Sequence, residues 1–165
     1  MIEAIKSRRS VRKFTDEPVD RKLLMEVLEA GRWAPSGLNN QPWRFALITD
    51  KQVKAKVAPM TKYHGIVDSA QALIALFIDK DEMYHEVKDH QSIGACAENM
   101  LLAAHGLGLG AVWLGEILKS ADELRALLEL PENLELMCVI ALGHPASRTH
   151  TSKRKPIEEL IVKDI

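Results

Sequence analysis

The chain has 165 residues, 47% of them hydrophobic and 27% charged, with a formal net charge of -1. That length is enough for a sizeable core and fits one domain over residues 1–165. The balanced charge excludes a general nucleic-acid binder, which carries a basic excess, and no apolar run approaches the ~20 residues that span a bilayer. The two cysteines, Cys96 and Cys138, stand far apart in apolar sequence, which excludes a disulfide framework and a metal knuckle. They read as reduced core thiols, and with no signal peptide after Met1 the expected compartment is the cytoplasm.

Residues 1–7 read as a short helix with Ile2 and Ile5 on one side. A dense basic segment follows, Arg8-Arg9-Ser10-Val11-Arg12-Lys13-Phe14. Asp20 is placed to cap a second helix, in which Leu23, Leu24, Val27 and Leu28 keep helical spacing and Gly31 marks the stop. Then comes a turn of unusual content, Trp33-Ala34-Pro35-Ser36-Gly37-Leu38-Asn39-Asn40-Gln41-Pro42-Trp43. Its prolines and Gly37, Asn39 and Asn40 are turn residues. The bracketing tryptophans and the polar Ser36, Asn39 and Gln41 fit two roles equally, a loop covering a core edge or a loop lining a flat ligand.

Residues 43–49 read as a strand and 51–60 as a short helix. Residues 72–78 are apolar throughout, as in a strand buried on both faces. The charged stretch 79–89 reads as a solvated connection or a helix start, and His85, Asp89 and His90 read as a surface patch rather than a metal site. Residues 91–107 carry the strongest helical pattern, with Ile93, Ala97, Met100, Leu101 and Ala104 on one face. Gly106-Leu107-Gly108-Leu109-Gly110 matches the letters of a dinucleotide fingerprint, but it follows a helix and precedes a strand, the reverse of what that motif requires. It reads as a helix stop and tight turn.

A short strand is expected at 111–114, a capping box at Ser120-Ala121-Asp122-Glu123 opening a helix to residue 128, and a last strand at 135–142. The tail brings Arg148, Lys153, Arg154 and Lys155, then a final turn near 157–162; His64, His105, His144 and His150 are scattered. Helices interleave with about four apolar strands, so the expected class is mixed α and β with helices on both sheet faces.

No conventional acid, base or nucleophile set is present. Two groups of residues stand out instead. Arg8, Arg9, Arg12 and Lys13 near one end, with Lys153, Arg154 and Lys155 near the other, are either two solvated charge runs or the partners of one buried phosphate. Arginine suits a phosphate because its planar fork pairs two oxygens, and Ser10 adds a hydroxyl. Val112-Trp113-Leu114-Gly115-Glu116 is either an ordinary strand end or a place where glycine lets backbone amides approach a ligand.

Taken together, the arginine segment 8–14, the loop 34–43, the helix ending Ala103-Ala104-His105-Gly106-Leu107-Gly108, then Trp113-Leu114-Gly115, Leu142-Gly143-His144-Pro145 and Arg154-Lys155-Pro156 resemble the nitroreductase family of FMN-dependent oxidoreductases, in a compact form. The resemblance runs in order from residue 4 to about residue 160. It implies a three-layer α+β fold, a central mixed, mainly antiparallel sheet flanked by helices, and a homodimer with FMN at the interface. By the same resemblance Arg8, Ser10 and Arg12 hold phosphate and ribityl oxygens, Arg9 lines that pocket, and Arg154 with Lys153 completes the clamp. Pro35, Ser36 and Asn39 reach the isoalloxazine from the partner subunit. Leu114 and Gly115 flank the ring near N5. Around Tyr63 and His64, where the family usually has another flavin contact, this sequence matches no pattern.

The resemblance also explains the missing acid–base set, because the flavin carries the chemistry and the protein supplies binding and electrostatics. It implies an enzyme that takes hydride from NAD(P)H and reduces nitroaromatic, quinone or similar acceptors by a ping-pong mechanism, without nucleic-acid or membrane partners and without a metal. The alternative is a flavin-binding storage or sensing protein without nicotinamide turnover.

Overall fold

The computed structural model describes residues 1–147 and 151–165; Arg148 and His150, named above, lie outside the described residues. Four strands form one sheet: β1 (Trp43–Ile48), β2 (Ala72–Asp79), β3 (Gly110–Leu114) and β4 (Leu134–Gly143), in the order β1-β2-β4-β3. Every pairing among these strands is antiparallel. Among the described residues, the parallel component of the expected mixed sheet is an isolated bridge from Ser10 to Ala111 beside β3.

Side chains alternate across a strand, so β2 feeds two cores at once. Leu73, Ala75 and Phe77 face one layer, with Val57, Ile66, Val67, Ile117 and Leu124. These come from α3 (Lys51–Val57), α4 (His64–Ser69), a 3₁₀ turn (Glu116–Ser120) and α6 (Ala121–Leu127). Ala72, Ile74, Leu76 and Ile78 face the other layer, built from α2 (Arg21–Arg32) and α5 (Glu86–Gly106). With α1 (Ile2–Ser7) packed beside α5, the architecture is three-layered α+β. Cys96 and Cys138, distant in sequence, share the α2/α5 layer, and burial pushes both thiols up to about 12, so they act as apolar filling.

Three local readings change. Gly31 does not stop α2, which runs on to Arg32. A Cβ there would lie 2.8 Å from Met100 Cγ and 3.2 Å from Cys96 Sγ, so the glycine lets α2 and α5 approach closely. Ser120 precedes α6 but its side chain makes no capping hydrogen bond, because the 3₁₀ turn runs straight into the helix and no extended cap residue separates them. The stretch 79–89 is not simply solvated: Asp79 is paired with Arg44 at 2.8 Å, and Asp89 is fully buried at the start of α5. The end of α5 is as expected, with Gly108 at φ 81° and Leu109 N donating to Ala104 O at 2.8 Å.

Among the described residues no helix is long and apolar enough to cross a membrane, and no group of three or more His, Cys, Asp or Glu is placed to hold a metal.

Candidate functional site

The basic segment is drawn onto the sheet by two apolar teeth. Val11 and Phe14 are buried in the core while the residues between and before them stay near the surface. Val11 N donates to Ala111 O at 3.0 Å, Thr15 N to His144 O at 2.9 Å, and Ala146 N to Lys13 O at 3.1 Å. Gly110 makes the first contact feasible, since a Cβ there would sit 2.7 Å from Val11 Cγ1. The segment is thereby locked beside β3 and the end of β4.

That lock brings both chain ends to one place. A cavity of 330 Å³ is lined by Arg8, Arg9, Ser10, Arg12, Thr151, Ser152 and Arg154. Four guanidinium groups and three hydroxyls face it, with no carboxylate among the described lining residues. Arg8 Nε is buried without a hydrogen-bond partner and lies 3.5 Å from Glu98. Among the described residues Arg12 reaches only a long 3.5 Å contact to Ser10 O. Arg9 is fixed by donating to Lys6 O at 2.6 Å and Arg8 O at 2.8 Å. Arg154 bonds the Ser152 hydroxyl and Lys153 O. Lys153 does not line the cavity with its side chain; its carbonyl supports Arg154.

This donor set matches the demand of a phosphate dianion. Several cations close together are costly without an anion between them, and forked N–H groups with adjacent hydroxyls satisfy phosphate oxygens. The residues therefore fit a phosphorylated cofactor on their own chemistry.

Arg12 also lines a second cavity, of 220 Å³, at the C-terminal end of β3. Its lining comes from two stretches, Tyr63 and Ile66, and Val112 to Glu116, which includes Leu114 and Gly115. Tyr63, around which the sequence matches no pattern, is among the residues that line this cavity. Trp113 lies alongside Gly115, 3.8 Å from where a Cβ would stand, and remains 40% exposed. The Glu116 carboxylate accepts from Thr61 Oγ1 at 2.7 Å and Lys62 N at 3.0 Å, and pairs with Lys119 at 2.7 Å. Lys119, then the Thr61 hydroxyl, hold its carboxyl down at about 2 against partial burial.

The loop with Pro35, Ser36 and Asn39 lines neither cavity within one chain. It is nevertheless rigidly built. Leu38, Asn39 and Gln41 all have positive φ, at 56°, 56° and 49°. Ser36 Oγ accepts from Gln41 N at 3.0 Å, and Asn40 Nδ2 donates to Asp89 at 2.7 Å and to Glu82 O at 2.9 Å. Asp89 also accepts from Tyr84 N and His85 N, at 2.9 and 2.8 Å. Burial opposes its charge, but these donors prevail and hold its carboxyl below the ordinary value. Asp89 is the residue sequence reading missed: charge alone marked it as surface, and its partner Asn40 is 49 positions away.

The nitroreductase family model matches residues 5–64 and 58–144, most of the chain. The chain belongs to the nitroreductase family. A protein named as a nitroreductase, crystallised in complex with FMN from Desulfovibrio desulfuricans, superposes with TM-score 0.95 at 48% identity, over 99% of this chain and 96% of that one. Among curated relatives, a Methanothermobacter thermautotrophicus protein named NADH dehydrogenase/NAD(P)H nitroreductase is 33% identical over 155 residues, 92% of this chain and 80% of its own. The FMN reductase [NAD(P)H] of Bacillus subtilis is 30% identical over 176 residues, covering 96% and 71%. This nitroreductase-family chain thus matches its relatives along nearly its whole length.

Proposed function

We infer that the protein is an FMN-dependent NAD(P)H oxidoreductase. The observation that carries this reading is the arginine-lined cavity joined through Arg12 to the second cavity at the end of β3. One holds a doubly charged phosphate, the other a flat ring against apolar walls and backbone amides. Arg8, Arg9, Ser10, Arg12 and Arg154 take the phosphate and ribityl end, with Lys153 adding charge nearby. Leu114 and Gly115 line the ring end. When bound, FMN supplies the hydride acceptor and electron donor of the reaction. The protein's part is to orient the ring, and amides beside it stabilise negative charge there.

The site is completed by a second copy of a single-domain chain. Trp33 and Leu38 stand 73% and 85% exposed on a loop whose backbone is held in a strained form. Large apolar side chains held out on a rigid loop are suited to an interface, and the loop's Pro35, Ser36 and Asn39 then meet the ring of the partner's site. NAD(P)H enters, delivers hydride and leaves before an acceptor uses the same face, in a ping-pong order. Nitroaromatics and quinones are the acceptor classes, and the compartment is the cytoplasm.

The test is anaerobic. The purified protein is expected to be yellow and to bleach on adding NADH or NADPH, with reoxidation by a quinone or nitro compound. A protein that stays colourless after incubation with FMN contradicts the reading, and a yellow protein that neither nicotinamide bleaches is a flavin store.

A further inference from the structure

The second cavity has two walls that come from segments far apart in the chain. Thr61, Lys62 and Tyr63 precede α4, whereas Leu114, Gly115 and Glu116 end β3 and begin the 3₁₀ turn. One carboxylate joins them. Glu116 Oε2 accepts from Thr61 Oγ1 at 2.7 Å and from Lys62 N at 3.0 Å, a link spanning 55 positions. Thr61 is only 3% exposed, and its hydroxyl also accepts from Tyr63 N at 3.2 Å. Glu116 Oε1 is occupied by Lys119, one turn on, at 2.7 Å. The chain Lys119–Glu116–Thr61–Tyr63 therefore ends at the backbone amide of Tyr63, a residue that lines the same cavity.

We propose that Glu116 and Thr61 are positioning residues that fix the separation of Tyr63 from Gly115 and so set the grip of this cavity on a flat ring. The proposal rests on the reading of the cavity as the ring end of an FMN site. Both groups hold backbone rather than ligand. The carboxylate is fully engaged by three donors, so it has little capacity left for a ligand donor. Its charge is balanced by Lys119, so its effect is geometric. With Glu116 removed, the segment before α4 is released at Lys62 N and the Thr61 hydroxyl that holds Tyr63 N loses its anchor; with Thr61→Val the Tyr63 amide loses that hydroxyl itself. The arginine cavity is untouched, because neither residue lines it.

The two ends of the ligand are separable with FMN and riboflavin, which share the ring and differ in the phosphate. Affinities of both are measured for wild type, Glu116→Ala, Thr61→Val and Thr61→Ser, with the visible circular dichroism of bound FMN recorded alongside. Glu116→Ala and Thr61→Val are expected to weaken FMN and riboflavin by the same factor, about tenfold, and to change the dichroism of the bound flavin. Thr61→Ser retains the hydroxyl and is expected to match wild type in both. If the variants melt earlier yet bind both flavins as wild type does with unchanged dichroism, the staple is merely structural and the proposal is overturned. Loss of FMN affinity alone, with riboflavin unaffected, overturns it equally. A wild-type protein that binds neither flavin removes the FMN reading itself.

Discussion

The two ends of the candidate site are built on opposite electrostatic plans. At the arginine end, arginines line the cavity: Arg8 Nε is buried without a hydrogen bond, 3.5 Å from Glu98, and among the described residues Arg12 has only a 3.5 Å contact. At the second cavity and under the 33–43 loop, the carboxylates are already engaged by backbone and side-chain donors, Asp89 with Asn40, Tyr84 and His85, and Glu116 with Thr61, Lys62 and Lys119. The contrast teaches that charge plays two separate parts here. The arginines gather around one cavity, whereas the anions hold irregular backbone in place through donors of the chain itself.

Breaking the apolar anchor should erase the difference by removing the arginine end from the fold. Phe14→Ala deletes a buried ring that fastens the basic segment and is expected to cost about 3–5 kcal/mol of stability. Denaturant titration measures it, and FMN retention should fall in parallel; a loss under 1 kcal/mol would show that the segment is held by its backbone bonds alone.

Removing a satisfied anion sharpens the comparison. Asp89→Asn is expected to destabilise by about 1.5–3 kcal/mol, the worth of a hydrogen bond to a charged group. Because the folded carboxyl sits below its ordinary value, its contribution is complete above about pH 4 and disappears as pH falls through the folded value. Wild-type stability should therefore drop more steeply than the variant's below about pH 4, as followed by thermal melts across pH. Parallel acid limbs would mean that Asp89 adds no charge-dependent stability.

The smallest effect has the opposite sign. Leu38 holds φ 56° with its side chain 85% exposed, so Leu38→Gly should relieve backbone strain and raise stability by about 1 kcal/mol. A calorimetric melt at low protein concentration isolates the single chain, and a lowered melting temperature there would show that Leu38 packs rather than strains.

Much of the fold was legible because it is written locally. The apolar run of β2 and the spacing of Ile93, Ala97, Met100 and Leu101 in α5 mark buried faces without knowledge of any partner. The arginines and Ser10 stood out in the sequence, but two solvated charge runs would read the same, and it is the fold that brings Arg8, Arg9, Ser10, Arg12 and Arg154 to one cavity. The anions did not stand out. Asp89 and Glu116 act through partners 49 and 55 positions away, and nothing in their own neighbourhoods distinguishes them from solvated charge. Gly31 was misread for a related reason: a stop and a close helix contact have the same letter, and only Met100 across the layer decides between them.

The central claim is that the cations from both chain ends bind the phosphate of FMN. Equilibrium titration of FMN into wild type and Arg8→Ala tests it most directly. The account predicts a loss of about 1.5–3 kcal/mol in FMN affinity, with riboflavin affinity unchanged; equal FMN affinity in the two proteins would contradict it.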